Sequence, residues 1–210
     1  RMSPVVRVPC NDAVVIKRVL DAGATTLMVP FVQDAGEAGA AVAATRYPPD
    51  GVRAMSASGR ASRFGTDATY FRTANRGLTV IVQLETVQAV QRLESIAAVA
   101  GVDAIFLGPA DLSASMGHVG HPTHPAVMDL MADVVHRCKT LGKPVGAFGA
   151  TPEVVAQYRA IGFDFDSLYD ETEEPLPAKV PERPEWTKKD KLAFEREMLG
   201  LYVSDHPLAG

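Results

Sequence analysis

Hydrophobic and polar positions along the chain predict short strands separated by helices. Runs rich in β-branched residues predict five strands, at 5–9, 25–30, 78–85, 102–107 and 143–148. Helical spacing and capping residues predict a helix after each strand, over 12–21, 35–46, 87–100, 125–141 and 151–161. Strands that alternate with helices indicate a parallel sheet with right-handed crossovers. The pattern therefore predicts an α/β fold, which is either an open doubly wound sheet or part of a barrel.

Two segments have neither a strand pattern nor a helix pattern, and we predict long loops there. Residues 52–77 are polar and irregular, and long connections of this kind usually serve function or mobility. The arginines within and shortly before this segment either solubilise the loop or cover an anionic substrate. They are Arg46, Arg53, Arg60 and Arg63. Residues 111–124 contain His118, His121 and His124. Because glycine and proline interrupt this run and no cysteine is near, we interpret it as a polar loop at a site mouth rather than a zinc site.

The composition changes after residue 163. Residues 164–185 hold four prolines and eight Asp or Glu residues, which is typical of an extended acidic linker. Residues 186–200 then have a charged, amphipathic pattern that predicts a helix. We therefore predict an α/β domain over 1–163, a linker over 164–185 and a short helical tail over 186–210.

Composition excludes several classes of protein. A hydrophobic content of 47% suffices for a core, and a net charge of −4 argues against nucleic acid as a general partner. No apolar run reaches the roughly 18 residues that cross a bilayer. The two cysteines, Cys10 and Cys138, are too few for a disulfide scaffold, and we interpret them as inert thiols in a reducing compartment. We expect a cytoplasmic protein without membrane contact.

An acidic residue follows each of two consecutive predicted strands. Glu85 ends the strand that begins at Leu78, and Asp111 follows the next strand. Because the carboxyl ends of parallel strands meet at one edge, the two carboxylates could bind a divalent cation such as Mg²⁺ or Mn²⁺. The alternative is two solvated carboxylates. Gly108 allows the backbone to approach closely, and it leaves the Ala110 N–H free to face a ligand oxygen.

Three further side chains are candidates for a site. Gln83 leaves the same strand face as Glu85, which makes sense if both line a polar site. Arg7 lies within an apolar strand, so it is either an edge-strand surface residue or a clamp for a substrate carboxylate or oxyanion. Asp21 lies near the end of a predicted helix, and its position there favours a solvated carboxylate. No glycine-rich phosphate-binding motif is present, which weighs against a phosphate-binding open α/β module.

Several motifs resemble those of the HpcH/HpaI aldolase family. The clearest are Leu27-Met-Val-Pro-Phe-Val-Gln33, Arg46-Tyr-Pro-Pro-Asp-Gly-Val-Arg53, Val82-Gln-Leu-Glu-Thr86 and Gly101-Val-Asp-Ala-Ile-Phe-Leu-Gly-Pro-Ala-Asp-Leu-Ser113. The resemblance covers about residues 3–163. It is closest to the class II pyruvate aldolases that act on 4-hydroxy-2-oxoheptanedioate, as in aromatic-compound catabolism, or on 2-keto-3-deoxy-sugar acids. It implies a (β/α)8 TIM barrel, a homo-oligomer, and cleavage of a 4-hydroxy-2-oxo acid to pyruvate and an aldehyde.

The resemblance also implies a metal site. Glu85 and Asp111 match the family's ligands for a divalent ion, which is Mg²⁺ or Mn²⁺, with Co²⁺ as an alternative. The ion would chelate the carboxylate and keto oxygen of pyruvate and stabilise the enolate as a Lewis acid. Asp111 therefore also belongs to the substrate-binding set.

The remaining roles implied by the resemblance concern substrate and proton transfer. Arg7 matches an arginine that steadies the enolate and the aldehyde oxygen, and Gln83 matches a site glutamine. Ala110 matches the residue whose backbone contacts the pyruvate carboxylate. Asp21 matches an aspartate that partners the catalytic histidine, often across a subunit interface.

The chain departs from the family pattern at both ends. The family's catalytic histidine precedes the match to Val5 and has no counterpart here. We therefore predict a partial TIM barrel of about five βα units, without the first two strands and the last. The activity of this chain by itself is left open.

The tail has a separate resemblance. The segment from Trp186 to Leu208 is similar to part of the bacterial DNA polymerase III alpha subunit, without that enzyme's catalytic aspartates. The alternative function is accordingly a non-catalytic fragment or fusion product whose tail, residues 164–210, interacts with replication proteins.

Overall fold

The computed structural model describes residues 4–164 of the 210-residue chain. These residues belong to the first of two compact units, Arg1–Phe165. Apart from residue 164, the predicted linker over 164–185 and the helical tail over 186–210 lie outside the described residues and stay predictions.

Five parallel strands form one sheet in sequence order. They are β1 Val5–Arg7, β2 Thr26–Val29, β3 Thr79–Leu84, β4 Ala104–Leu107 and β5 Val145–Ala147. In register, Met28 pairs with both Arg7 and Ile81, and Gln83 pairs with Phe106. A sheet that adds each strand beside the previous one, with crossovers of one hand, carries its helices on one face. This order differs from a doubly wound sheet, in which the strand order reverses, and is consistent with part of a TIM barrel.

Eight α-helices connect the strands in the described residues. They are α1 Ala13–Asp21, α2 Ala35–Thr45, α3 Tyr70–Thr73, α4 Val87–Gln91, α5 Leu93–Ala97, α6 Pro109–Ser115, α7 Pro125–Thr140 and α8 Pro152–Ala160. Side chains of the expected types cap several of them: Asp12, Asp34, Thr86 and Thr151 each accept a hydrogen bond from a first-turn N–H. The part of the chain described by the structure has no helix with the length and apolar composition needed to cross a membrane.

The core lies between one face of the sheet and the helices. Alternate strand residues on that face are fully buried, among them Leu27, Val80, Val82, Ile105 and Leu107. They pack in one cluster with helix residues such as Ile16, Leu93 and Met131. The opposite face holds more accessible positions, including Thr79, Ala104 and Phe106. This asymmetry follows from the period-2 geometry of strands and leaves the strand ends available for polar side chains.

The structure corrects three sequence predictions. The predicted helix over 87–100 is two short helices, because Arg92 between them leaves helical geometry at φ −105° and ψ 13°. The predicted loop over 111–124 begins within α6. Its serines, which favour other local structures, instead donate hydroxyl hydrogen bonds to carbonyls three residues earlier, from Ser113 to Ala110 and from Ser115 to Leu112. The predicted loop over 52–77 contains α3 and two 3₁₀ turns, Arg60–Ser62 and Ala74–Arg76.

Candidate functional site

An open cleft of about 570 Å³ lies at the carboxyl ends of the first four strands. Each of these strands contributes at least one lining residue, directly or through the loop that follows it. The lining residues are Arg7, Pro9, Cys10, Asn11, Pro30, Phe31, Glu37, Ala40, Glu85 and Asp111. Clefts at this end of parallel strands are the usual place for active sites.

Glu85 is the most deeply buried acid of the cleft, with 3% of its surface exposed. Burial and then the negative charge of Asp111 raise the pKa of its carboxyl group, while Arg7 and the backbone N–H of Phe31 act in the opposite direction. Its Oε1 atom is buried and has no hydrogen-bond partner. Arg7 Nη1 is 3.9 Å from that oxygen, which is too far for a hydrogen bond. An unpartnered buried oxygen beside a second carboxylate is an environment that a cation would stabilise.

Gly108 explains how the backbone after β4 fits against this acid. A β-carbon on Gly108 would lie 2.7 Å from both Cγ and Oε1 of Glu85, and 2.9 Å from Nε2 of Gln83. Real β-carbons do not approach other atoms this closely, so any other residue would displace these side chains. The close approach expected at Gly108 is therefore present.

Asp111 lies in the first turn of α6, with Pro109 at the first helical position. Its side chain lines the cleft together with Glu85, and its negative charge contributes to the raised pKa of the Glu85 carboxyl group. Ala110, one residue earlier, is exposed, and its N–H belongs to the first turn, where N–H groups have no partner within the helix. Glu85 and Asp111 thus line one cleft, and the exposed Ala110 directly precedes Asp111 in α6.

Arg7 is exposed at the edge of the described sheet and also lines the cleft. It lies on β1, at the edge of the described sheet, and its side chain is 57% exposed, so it is not a buried charge. It nevertheless extends into the cleft, where Nη1 is 3.4 Å from Oε1 of Gln83. Gln83 is buried and therefore has little freedom to move. The guanidinium keeps most of its N–H groups accessible from the cleft.

Asp21 is not near this cleft. Helix α1 runs back from the carboxyl ends of the strands, so Asp21 at its end lies toward the amino ends of the sheet. It pairs there with Lys17 and accepts a 2.8 Å hydrogen bond from Nη2 of Arg53. Burial alone would raise the pKa of Asp21, but the hydrogen bonds from Arg53 and Lys17 lower it below its usual range. Asp21 is therefore a paired carboxylate, not the solvated residue that its spacing predicted.

Arg53 also differs from the sequence prediction. Its side chain has no exposed surface, so it does not solubilise the loop. Nη2 donates to Tyr70 Oη at 3.1 Å as well as to Asp21, and the guanidinium lies 4.4 Å above the ring of Tyr47. Arg60 and Arg63 are exposed and line a different cleft, beside Tyr70. Within one chain, this loop therefore does not cover Glu85 and Asp111.

The histidine loop holds no metal cluster. His118 and His124 stack at 3.6 Å with an angle of 14° between their planes. Nδ1 of His124 accepts a hydrogen bond from the Ala126 N–H and so caps α7. No group of three or more His, Cys, Asp or Glu residues within 4–164 is arranged to hold a metal ion. A cation between Glu85 and Asp111 would thus keep several positions for water or substrate, as Mg²⁺ usually does.

Several lining residues were missed by sequence reasoning. Cys10 and Asn11 follow β1, and Phe31 follows β2, so their positions at strand exits were the available signal. Cys10 is exposed in the cleft, whereas Cys138 is buried. Phe31 has a left-handed backbone, with φ 57°, and no sequence feature predicts that conformation for phenylalanine.

Residues 1–172 match the HpcH/HpaI aldolase/citrate lyase family. This chain belongs to that family. It is 51% identical over 165 residues to 2-dehydro-3,6-dideoxy-6-sulfogluconate aldolase of Pseudomonas putida, covering 79% of the chain and 65% of that protein. It is 50% identical over 167 residues to pyruvate aldolase of Rhizobium etli, covering 80% and 66%.

A solved structure of a member of the same family supports the fold. The HpcH/HpaI aldolase/citrate lyase family protein of Burkholderia cenocepacia superposes with a TM-score of 0.74 at 45% identity, over 77% of this chain and 64% of that one. The chain thus spans slightly less than two thirds of the length of these family members. The family match ends at residue 172. The polymerase-like resemblance of residues 186–208 lies outside the described residues and stays a prediction.

Proposed function

We propose that this chain carries the metal- and pyruvate-binding half of a divalent-metal-dependent aldolase, which cleaves a 4-hydroxy-2-oxo acid to pyruvate and an aldehyde. One observation carries the proposal: Oε1 of Glu85 is buried without a hydrogen-bond partner, beside Asp111, in an open cleft. Arg7 Nη1 is 3.9 Å from this oxygen, too far for a hydrogen bond, so a bound divalent cation would stabilise the buried carboxylate further.

The two carboxylates fit a hard divalent cation, and Mg²⁺ or Mn²⁺ suits their oxygen donors, with Co²⁺ as an alternative. When bound, such an ion would supply Lewis-acid stabilisation to the enolate of pyruvate. Glu85 lines the cleft, and burial and Gly108 leave its side chain little room to rotate. Asp111 presents its carboxylate from the first turn of α6.

Arg7 and Ala110 would orient the substrate. The Arg7 guanidinium reaches the cleft from β1 and can donate to a carboxylate or an enolate oxygen, both of which are negatively charged. The Ala110 N–H, in the first turn of α6 next to Asp111, can donate to the pyruvate carboxylate. Gln83 limits where Arg7 can lie, since its Oε1 is the nearest acceptor for Nη1.

Proton transfer needs a base, and the resemblance assigns that role to a histidine partnered by Asp21. No histidine lines the described cleft. Asp21 lies at the end of the sheet opposite the cleft of the same chain. Its hydrogen bond from Arg53 favours the ionised carboxylate, because it lowers the pKa of Asp21. The role that the resemblance assigns to Asp21 would therefore be exercised in the site of a neighbouring subunit, and on this basis we propose a homo-oligomer.

The substrate we propose is a 2-oxo acid derived from a sugar acid. The relative from Pseudomonas putida is named for a sulfogluconate derivative, which favours this class over the 4-hydroxy-2-oxoheptanedioate of aromatic-compound catabolism. Pyruvate is the common product of such cleavage, and the aldehyde is set by the part of the substrate beyond the broken carbon–carbon bond.

Titration calorimetry of the full chain with Mn²⁺ tests the proposal. We expect the wild type to bind one ion, and Glu85→Gln or Asp111→Asn to weaken binding at least tenfold, since each removes one of two charged ligands. Glu153→Gln is the matched control, because Glu153 is an exposed acid in the first turn of α8. Absence of Mn²⁺ binding by the wild type, or equal binding by Glu85→Gln, would overturn the proposal.

A further inference from the structure

A second cleft, of about 500 Å³, lies at the amino ends of the strands, opposite the cleft of Glu85 and Asp111. It is bounded by the segment after α1, by the residues that precede β2 and β3, and by the Arg60–Ser62 turn and α3. Arg63 and Tyr70 also line it, and no acidic side chain of the described residues does. The proposed aldolase chemistry uses none of these lining residues.

One hydrogen-bonded turn presents two arginines to this cleft. Arg60 and Arg63 are three residues apart around a 3₁₀ turn, a spacing that places side chains on the same face. The Arg63 N–H donates to the Arg60 carbonyl at 2.9 Å, and the Phe64 N–H donates to the Gly59 carbonyl at 3.0 Å. The hydroxyl oxygen of the buried Ser62 lies 3.0 Å from the Gly59 carbonyl oxygen, within hydrogen-bond distance. The turn is therefore fixed by its own contacts.

The backbone that carries Arg63 is strained. Arg63 has φ 51° and Phe64 has φ 57°, both in the left-handed region that favours glycine. The Phe64 residue is 70% exposed, so burial of its ring does not compensate for this conformation. Strain of this kind concentrates at functional sites. Here one of the two strained residues is an arginine that lines the cleft.

The positive charge of these arginines is not neutralised by a salt bridge. Within residues 4–164, neither Arg60 nor Arg63 forms one. Asp21 directly precedes the cleft in sequence, but it is paired with two cations outside the lining. Asp67 is close enough for its charge to interact with Arg63, but its Oδ1 accepts hydrogen bonds from the N–H and hydroxyl of Thr69. The cleft therefore has a positive wall that suits an anion.

Tyr70 adds a hydroxyl group to this wall. Its Oη accepts a 3.1 Å hydrogen bond from the buried Arg53. Because a guanidinium only donates, the hydroxyl proton of Tyr70 can be donated to an acceptor in the cleft. Apolar side chains form much of the remaining lining, among them Ala22, Ala61 and Leu78. The cleft thus combines donors for an anion with a surface for carbon atoms.

We propose that this cleft binds a small phosphate monoester, with its phosphate on Arg60, Arg63 and Tyr70 and its carbon part on the apolar lining. One guanidinium already satisfies both oxygens of a carboxylate, whereas the terminal oxygens of a phosphate monoester can accept from two guanidinium groups and a hydroxyl. The cleft is much larger than a phosphate group, which leaves room for the carbon part. The proposal does not depend on the aldolase function, because these residues do not line the cleft of Glu85 and Asp111.

Titration calorimetry of the full chain with n-butyl phosphate, in buffer without divalent metal, tests the proposal. Inorganic phosphate and n-butanol are the comparison ligands, since each lacks one of the two parts that the cleft would recognise. We expect n-butyl phosphate to bind more tightly than inorganic phosphate, and we expect no binding of n-butanol.

Four variants locate the binding site. Arg60→Gln and Arg63→Gln should each weaken binding of n-butyl phosphate at least about tenfold, because each removes a charged hydrogen-bond donor. Arg72→Gln is the matched control, since Arg72 is an exposed arginine of α3 that does not line the cleft. Arg7→Gln tests the other cleft. Both should stay within about twofold of the wild type, because charges far from the bound phosphate are screened by salt. Thermal melts by circular dichroism verify folding.

Three results would overturn the proposal. The first is absence of n-butyl phosphate binding by the wild type, and weaker self-association of Arg60→Gln in sedimentation would then assign the arginines to a contact between subunits. The second is equal affinity for inorganic phosphate, which would leave the apolar lining without a role. The third is equal loss in Arg60→Gln and Arg72→Gln, which would indicate unspecific attraction. The assay contains no Mn²⁺, so failure of the proposed cation site would not affect its outcome.

Discussion

Gly108 lies so close to Glu85 that the Glu85 side chain can keep its position only because residue 108 has no side chain. A β-carbon at position 108 would lie 2.7 Å from Oε1 of Glu85, the oxygen that has no hydrogen-bond partner. The φ of Gly108 is −99°, which any residue can adopt, so the restriction comes from space and not from backbone strain.

Gly108→Ala should therefore damage the cation site. We expect the added methyl group to displace Glu85 and weaken Mn²⁺ binding at least tenfold, with a loss of about 1–3 kcal/mol in stability from overpacking. Calorimetry with Mn²⁺ and urea unfolding measure the two effects. Gly39→Ala is the control, because a β-carbon there meets nothing within 4 Å and Gly39 lies inside α2. It should leave binding unchanged and raise stability by about 0.5–1 kcal/mol.

Arg53→Met should strongly destabilise the fold. The substitution removes hydrogen bonds to Asp21 and Tyr70 and the stacking on Tyr47, all from a side chain with no exposed surface. We expect a loss of about 2–4 kcal/mol, below the upper end for broken buried pairs because Asp21 keeps Lys17. Arg60→Met, at an exposed position in the same loop, should change stability by no more than about 0.5 kcal/mol. Similar unfolding midpoints for the two variants would contradict the structural role of Arg53.

The Asp21 pair should make stability depend on pH. The pKa of Asp21 is lowered in the folded chain, so its stabilising contribution is complete above its unfolded pKa of about 3.9 and disappears as the pH falls through the folded value. The free energy of unfolding of the wild type should exceed that of Asp21→Asn at pH 7, and the difference should shrink below about pH 4. Urea titrations at several pH values measure this. A difference that is constant with pH would mean that the charge of Asp21 is not responsible.

The two thiols should react at very different rates. Cys138 is fully buried and burial raises its pKa to about 11, whereas Cys10 is exposed and lines the cleft. We expect iodoacetamide to label Cys10 in the native chain and both thiols only after unfolding, as read by peptide mass spectrometry. Mn²⁺ together with pyruvate should slow labelling of Cys10, because they would occupy the same cleft. Rapid native labelling of Cys138 would contradict its burial.

The sequence predicts the framework of the site well, because strand ends are visible in it. Apolar runs ended by Glu85 and by Gly108-Pro109-Ala110-Asp111 indicate where two neighbouring strands stop. Parallel pairing then brings these ends together without any knowledge of side-chain packing. The close approach at Gly108 was also predictable, since glycine after a strand commonly marks such a contact. The role of these residues as ligands stays a prediction.

Other features depend on tertiary contacts that no local pattern contains. Arg53 resembles the other arginines of its loop, and only the distant partners Asp21 and Tyr47 make it a buried residue. The positive φ of Phe31 follows from anchoring of Val32 to Gln83, some fifty residues away in the chain. Short helices such as α6 were missed for a different reason. Seven residues with two serines show too few periodic apolar positions to be distinguished from a loop.

The cleft takes its polar groups from the ends of separate strands and from the loops and helices that directly follow them, while the hydrophobic core lies between the sheet and the helices. Because the residues at positions 10, 11 and 37 are exposed in the cleft, substitutions there can alter which substrates the cleft accepts with little effect on core packing. To obtain an enzyme for a new aldehyde acceptor, these three positions could be diversified together while the buried core is left unchanged. Such libraries should retain a large share of well-folded members.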